Sequence, residues 1–151
     1  MSFEIRKAAL ADLGPALQLD REAFGADAWT FLDYGAVFAD RSVKKFTALA
    51  DGHFAGFAAM AFDSGQKAAC LMTLAVRPEF RNKGIGSALL KKCEEAFSDY
   101  NYYLNVDIEN KSAIRLYERA GYHQTGIDPE YYMNKHDAII MEKHIKKIPE
   151  L

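Results

Sequence analysis

The chain has very little cysteine. Cys70 and Cys93 are the only two in 151 residues, they fall in apolar strand and helix patterns, and they lack the spacing of metal ligands. They read as reduced core thiols, which fits the cytosol. The four histidines, His53, His123, His136 and His144, are scattered, so no metal site follows from them. Also missing is any apolar run near the length of a membrane span, and Met1 to Leu10 mixes acidic and basic residues where a secretory signal would be apolar. A soluble protein with no membrane partner is expected. Nor does one sign of charge dominate: 19 Lys and Arg face 21 Asp and Glu, a net −2. Without a long basic block, nucleic acid is not an expected partner. The short stretch Lys143 to Lys147 reads as a solvated end, the other reading being contact with an acidic partner.

What is present is a well-patterned globular chain. Half of its residues are apolar (50%), no repeat or linker interrupts it, and its length suits a single domain over residues 1–151. Phe3 to Lys7 alternates like an edge strand, and Asp12 opens an apolar series at Leu13, Ala16, Leu17, Ala23 and Phe24 that fits a helix ended by Gly25. Trp29 to Ala39 predicts a second, short helix. Lys45 to Ala50 and His53 to Phe62 flank the hairpin signal Asp51-Gly52, and Ser64-Gly65-Gln66 turns into Ala68 to Val76. Gly84 to Ser98 carries Ile85, Leu89, Cys93 and Phe97 on one helical face. Tyr102 to Ile108 alternates again, with Leu104, Val106 and Ile108 on one face and Tyr103, Asn105 and Asp107 on the other. Lys111 to Ala120 follows as a helix between an Asn110 cap and a terminal Gly121. Tyr122 to Ile127 and Asp137 to Ile145 close the chain as strands around the loop Asp128 to His136. The order β-α-α-β-β-β-α-β-α-β-β predicts an α+β fold, a mixed central sheet with helices on both faces.

One segment carries chemistry. Arg81-Asn82-Lys83-Gly84-Ile85-Gly86 lies between the apolar run Leu71 to Val76 and an amphipathic helix. A strand that ends in such a loop and turns into a helix gathers unpaired N–H groups and the positive end of a helix dipole at one spot, which suits a pyrophosphate. Glycines at 84 and 86 let a backbone approach phosphate, and Arg81 and Lys83 can neutralise charge from the side. Two other glycine loops fail. A dinucleotide fingerprint would want a third glycine where Leu89 stands, and a P-loop would want Gly-Lys-Ser/Thr where Gly86-Ser87-Ala88 stands.

The pattern Arg-x-x-Gly-x-Gly, preceded by Leu74-Ala75-Val76-Arg77-Pro78, resembles the acetyl-CoA signature of the GNAT superfamily of N-acetyltransferases. Asn110-x-x-Ala113-x-x-Leu116-Tyr117 through Gly121-Tyr122 looks like that superfamily's second acetyl-CoA motif. Glu130-Tyr131-Tyr132 followed by Asp137-Ala138-Ile139-Ile140-Met141 is similar to the closing hairpin of bacterial ribosomal-protein alanine N-acetyltransferases, and the element order is the superfamily's own.

The resemblance implies an acetyl-CoA-dependent acyltransferase acting on a primary amine, either a protein N-terminal α-amine or a small molecule such as a polyamine, amino sugar or amino acid. A CoA-binding sensor without catalysis is the reading from another class. Acetyl-CoA is the implied cosubstrate, no metal is implied, and either a monomer or a homodimer would serve. The backbone of Leu74, Ala75 and Val76 is implied to grip pantetheine, the N–H groups of Asn82, Lys83, Gly84, Ile85, Gly86 and Ser87 to hold the pyrophosphate beside Arg81, and Asn110 to bond pantetheine. Tyr117 matches the general acid, chemically sensible because a phenol of pKa about 10 can reprotonate a thiolate of pKa about 8.5. Against this, Tyr117 lies on the apolar stripe of its helix, where packing alone accounts for a tyrosine.

The base position departs from the resemblance: where relatives carry a glutamate twelve residues before the tyrosine, this chain has Asn105, and an amide cannot accept the proton. Asp107 or Glu109 acting through water are the carboxylate candidates, each also readable as a solvated or capping group. The remaining alternative is that no side-chain base exists and the free fraction of an α-amine suffices. Asn105, Tyr131, Tyr132 and Trp29 are the candidate acceptor contacts.

Overall fold

The computed structural model describes residues 1–145. Seven strands, β1 (Phe3–Lys7), β2 (Lys44–Ala50), β3 (His53–Asp63), β4 (Ala68–Val76), β5 (Tyr102–Asp107), β6 (His123–Asp128) and β7 (Ala138–Lys143), form one sheet in the spatial order β1-β2-β3-β4-β5-β7-β6. Four helices interrupt them: α1 (Leu13–Phe24), α2 (Phe31–Ala39), α3 (Ile85–Ala96) and α4 (Lys111–Arg119). The expected α+β order is therefore present. All neighbouring strands are antiparallel except β4 and β5.

Alternation divides the apolar residues of the sheet between two clusters, one on each face. Ile85, Leu89, Leu90 and Cys93 of α3 pack with Ala48, Met60, Leu104 and Met141, and Tyr117 of α4 joins them. Ala16 and Leu17 of α1 and Tyr34 and Val37 of α2 pack with Phe57 and Ala59 of β3. Removing one of the fully buried leucines, such as Leu89 at 0% exposure, would cost about 2–5 kcal/mol.

Local polar bonds fix where elements begin. The Thr30 hydroxyl accepts from Asp33 N–H at 3.2 Å while the Asp33 carboxylate accepts from Thr30 N–H at 2.8 Å, so α2 starts at Phe31, two residues after Trp29. Asn110 Oδ1 caps α4 by accepting from Ala113 N–H. The buried Asp12 carboxylate takes two bonds from Arg6, one from Ala9 N–H and one from the Thr47 hydroxyl, which clamps β1 to β2. Asp20 of α1 is buried too. Its carboxylate accepts from Trp29 N–H at 2.7 Å and the Thr73 hydroxyl at 3.2 Å, tying the entry of α2 to β4. Burial pushes this carboxyl above its ordinary range even against those bonds.

Several boundaries differ from the sequence expectation. The segment α3 ends at Ala96, two residues short of Ser98, and Tyr122 lies outside β6 because its N–H bonds back to the Tyr117 carbonyl at 3.0 Å, closing the end of α4. The last strand stops at Lys143. Lys143 is no solvated end: its Nζ pairs with the Glu94 carboxylate at 2.8 Å. Lys146 and Lys147 of the same basic stretch lie outside the described residues.

Candidate active site

The centre of the sheet is parted. Strands β4 and β5 pair only at Ala69 with Tyr102 and Cys70 with Tyr103, although β4 continues to Val76 and β5 to Asp107. Each strand stays held along its outer edge, β4 by β3 and β5 by β7. A bulge explains the divergence: Ala59 pairs with Thr73 and Met60 with Leu71, so Met72 is the extra residue and bends β4. The bulge also reverses the direction of the backbone groups beyond it. Arg77 N–H bonds to the Ala55 carbonyl of β3 at 2.8 Å, so by alternation the N–H groups of Leu74 and Val76 face the opening. The Val76 carbonyl, on that same side, accepts from Arg81 Nε at 2.9 Å. Arg81 thus folds the following loop back against the end of β4.

The loop then enters α3 through left-handed backbone at Asn82 (φ 61°) and Gly84 (φ 86°). The first intrahelical bond there runs from Ala88 N–H to the Gly84 carbonyl, which leaves the N–H groups of Ile85, Gly86 and Ser87 without helical partners. Arg81, Asn82, Lys83 and Gly84 are exposed, so the two cations stand beside those donors in solvent. Gly84 has open space where a side chain would begin, but Gly86 does not. A Cβ at residue 86 would lie 2.7 Å from Leu116 Cδ1 of α4. Packing of α3 against α4 thus crowds residue 86, in addition to the phosphate approach expected from the sequence.

Tyr117 of α4 lies in the same core cluster as α3. Its ring is 7% exposed, packs 6.0 Å from the Tyr122 ring, and its hydroxyl has no hydrogen-bond partner among the described residues. Burial pushes the phenol up, with the neighbouring Tyr132 and Cys93 adding to the effect. Tyr132 is half-buried, its own phenol raised by burial, by Tyr131 and by the negative charge of Asp107. Tyr132 of the β6–β7 loop thus feels both Asp107 of β5 and, on its other side, influences Tyr117 of α4. Tyr131 is exposed, with its ring edge-on to Tyr132 at 4.9 Å. Asn105 lies half-buried on the Asp107 face of β5.

Not every candidate converges. Glu109 is exposed and touches the group only through its N–H, which donates to Asp107 at 2.9 Å. Trp29 is absorbed by the α1–α2 core, its ring 5.1 Å from Tyr34. Two residues that the sequence did not single out do converge. His136 Nδ1 lies 3.0 and 3.1 Å from the two Asp107 carboxylate oxygens, and Asp27 accepts from Met133 N–H at 2.8 Å, fastening the turn after α1 to the β6–β7 loop. Burial raises the Asp107 carboxyl, but bonds from Glu109 N–H and His136 outweigh it and hold the group below its ordinary value.

A model of the acetyltransferase (GNAT) family matches residues 12–122. The chain belongs to the GNAT acetyltransferase family. This acetyltransferase is 36% identical over 149 residues to an uncharacterized N-acetyltransferase of Methanocaldococcus jannaschii, a match covering 96% of the chain and 92% of the relative. Its fold is similar to that of the ribosomal-protein-S18-alanine N-acetyltransferase of Escherichia coli, with a TM-score of 0.84, 26% identity, and 99% and 97% of the two chains covered. The yncA protein of Salmonella typhimurium, solved with its cofactor acetyl-CoA, shares the fold at a TM-score of 0.83 and 16% identity, covering 100% of this chain and 98% of its own. Among the described residues, no group of three or more metal-binding side chains comes together, and no helix is long and apolar enough to cross a membrane.

Proposed function

We propose that this acetyltransferase uses acetyl-CoA to acetylate the α-amine of a peptide or protein N-terminus. The observation that carries the reading is the parted centre of the sheet. Its inward N–H groups at Leu74 and Val76 run from the donor-rich loop at Arg81 to Ser87 toward Tyr117. These residues fit a CoA-type ligand: unpaired backbone donors suit a pyrophosphate and an amide-bearing pantetheine arm, and two exposed cations flank them. Acetyl-CoA, when bound, supplies an activated thioester carbonyl.

The chain's own groups divide the remaining work. Backbone N–H groups of Leu74 and Val76 orient pantetheine and the carbonyl. The Asn110 side-chain oxygen is occupied by its cap, leaving the amide nitrogen to donate to pantetheine. Tyr117 holds a proton at its hydroxyl for the departing sulfur, and the raised phenol keeps that proton throughout the neutral range. Asn105, Tyr131 and Tyr132 line the acceptor side, with Trp29 supporting it from the α1–α2 core.

The preference for an α-amine follows from protonation. At pH 7 about one in ten α-amines of pKa ~8 is free, against about one in 2,500 lysine side chains of pKa ~10.4. The relative from Escherichia coli, named for modification of a ribosomal-protein alanine, supports the same class. All strands among residues 1–145 share one sheet, which supports treating the chain as one domain. The test is thiol release from acetyl-CoA with three acceptors: a peptide with a free N-terminus, the same peptide with a blocked N-terminus and a free lysine, and spermidine. Turnover on the first should exceed the others by at least tenfold. Preferential use of spermidine would move the reading to a small-molecule enzyme, and acetyl-CoA binding without thiol release from any amine would make the protein a sensor.

A further inference from the structure

The proposed site contains an amide, Asn105, where the amine must lose a proton, yet an imidazole stands on the neighbouring carboxylate. We propose that His136 is the proton acceptor for the amine and that Asp107 positions it, an inference that rests on the acetyl-transfer reading. The geometry fixes the tautomer. An ionised Asp107 can only accept hydrogen bonds, so His136 Nδ1, 3.0 and 3.1 Å from its two oxygens, carries the hydrogen. Nε2 then holds the lone pair. That nitrogen has no partner among the described residues, and the side chain is 41% exposed, so both an amine and solvent can reach it.

The loop that carries His136 is built to hold it still. Lys135 N–H bonds to the Tyr132 carbonyl at 2.8 Å, Tyr132 N–H to the His136 carbonyl at 3.3 Å, and His136 N–H to Asn134 Oδ1 at 2.9 Å. The loop is also fastened at its middle and at its far end. Asp27 accepts from Met133 N–H, and Ile108 N–H, just past β5, bonds to the Asp137 carbonyl at 3.0 Å. The imidazole is thereby held beside Tyr132, whose N–H bonds to the His136 carbonyl. The charged groups on the elements that meet there are Asp107 and Glu109 from β5 and its following turn, Asp27 from the turn after α1, and Lys135 and Asp137 from the loop itself.

The proton step balances within the residues present. An ammonium N–H bond breaks and its electron pair stays on nitrogen as the nucleophilic lone pair. The proton forms a new bond to Nε2 using the imidazole lone pair, the resulting imidazolium is neutralised by Asp107, and Nε2 releases the proton to solvent before the next turnover. Neither Asp107 nor Glu109 has to meet the amine itself. A carboxylate candidate in the sequence becomes a positioning residue, and a histidine 29 positions away becomes the base.

The test is the pH profile of kcat/KM for thiol release with a free-N-terminus peptide, with acetyl-CoA affinity measured separately by calorimetry. His136→Gln should lose about 100-fold at pH 7, within the usual range for removing a proton-transfer group. The gap should narrow severalfold by pH 9, where most α-amine is already free. Its affinity for acetyl-CoA should stay within twofold of wild type. His136→Gly should regain activity when imidazole is added to the assay. Asp107→Asn, which keeps an acceptor oxygen for Nδ1 but not the charge, should show a smaller loss of the same pH shape. A loss equal at every pH, or none at pH 7, overturns the proposal while leaving acetyl transfer intact. No thiol release by the wild-type protein from any amine overturns the acetyl-transfer reading and this one with it.

Discussion

Replacing Tyr117 by phenylalanine should lower activity while leaving stability nearly unchanged. In a tyrosine that merely packs, a buried hydroxyl finds a partner, and removing it costs about 1 kcal/mol or leaves that partner stranded at about 1–3 kcal/mol. Tyr117 is different: the ring is buried, but the hydroxyl has no hydrogen-bond partner among the described residues. Deleting the oxygen therefore breaks no hydrogen bond among the described residues, and this hydroxyl is not one of the buried polar atoms left without a partner. The unfolding free energy of Tyr117→Phe, read from urea titration, should stay within about 1 kcal/mol of wild type. Turnover should fall about 10²- to 10⁴-fold, which is about 3–5 kcal/mol of barrier, because the leaving sulfur loses its proton donor. Acetyl-CoA affinity should change by less than about twofold, since the proposed grip lies in backbone N–H groups on β4 and the loop after it. A variant with unchanged turnover would refute the acid assignment. A variant destabilised by more than about 2 kcal/mol would refute the claim of an unpartnered hydroxyl.

Two further outcomes follow from the scaffold. Burial raises the Asp12 carboxyl, but the bonds from Arg6, Ala9 N–H and Thr47 outweigh it, so the group sits below its ordinary 3.8. Its stabilisation is therefore present above about pH 3.8 and is lost as pH falls through the lower folded value. Asp12→Asn should cost about 1–3 kcal/mol at pH 7 and flatten the acid side of a plot of urea midpoint against pH; parallel curves for both proteins would contradict this. Gly84→Ala places a side chain in left-handed backbone with no steric neighbour, so it should cost about 1–2 kcal/mol from conformation alone and weaken acetyl-CoA binding in calorimetry. Wild-type values for both would show that the φ of 86° is not required.

The parts of this protein that were legible in its sequence are those written by near neighbours along the chain. Helical spacing at Ile85, Leu89 and Cys93, the Asp51-Gly52 turn, and the Asn110 cap depend on residues a few positions apart, and the structure keeps all three. The loop at Arg81 to Gly86 was readable for the same reason. What could not be read depends on tertiary meeting. Met72 looks like any strand residue, and only its pairing with β3 makes it the bulge that opens the sheet. The crowding of residue 86 by Leu116, thirty residues on, is likewise invisible in the sequence. His136 meets Asp107 because β7 inserts between β5 and β6, bringing the loop before β7 back to the end of β5. No periodicity marks a loop histidine, and its scatter among four in the sequence concealed it.

The two-residue seam between β4 and β5 has a consequence for how the molecule holds together. The sheet is two leaves joined at a spine, β1 to β4 on one side and β5, β7 and β6 on the other, with only Ala69–Tyr102 and Cys70–Tyr103 bridging them by strand pairing. Beyond the spine, the backbone amides that face the opening have no cross-strand partner to shield them from exchange with solvent. A ligand whose arm lies between the leaves takes the place of the missing rungs, so it acts as a stitch as well as a reactant. At a hundredfold excess over its dissociation constant such a ligand adds about 2.7 kcal/mol to folding stability. That added protection would be felt most in the smaller leaf, which has the shorter strands and the acceptor side of the proposed site.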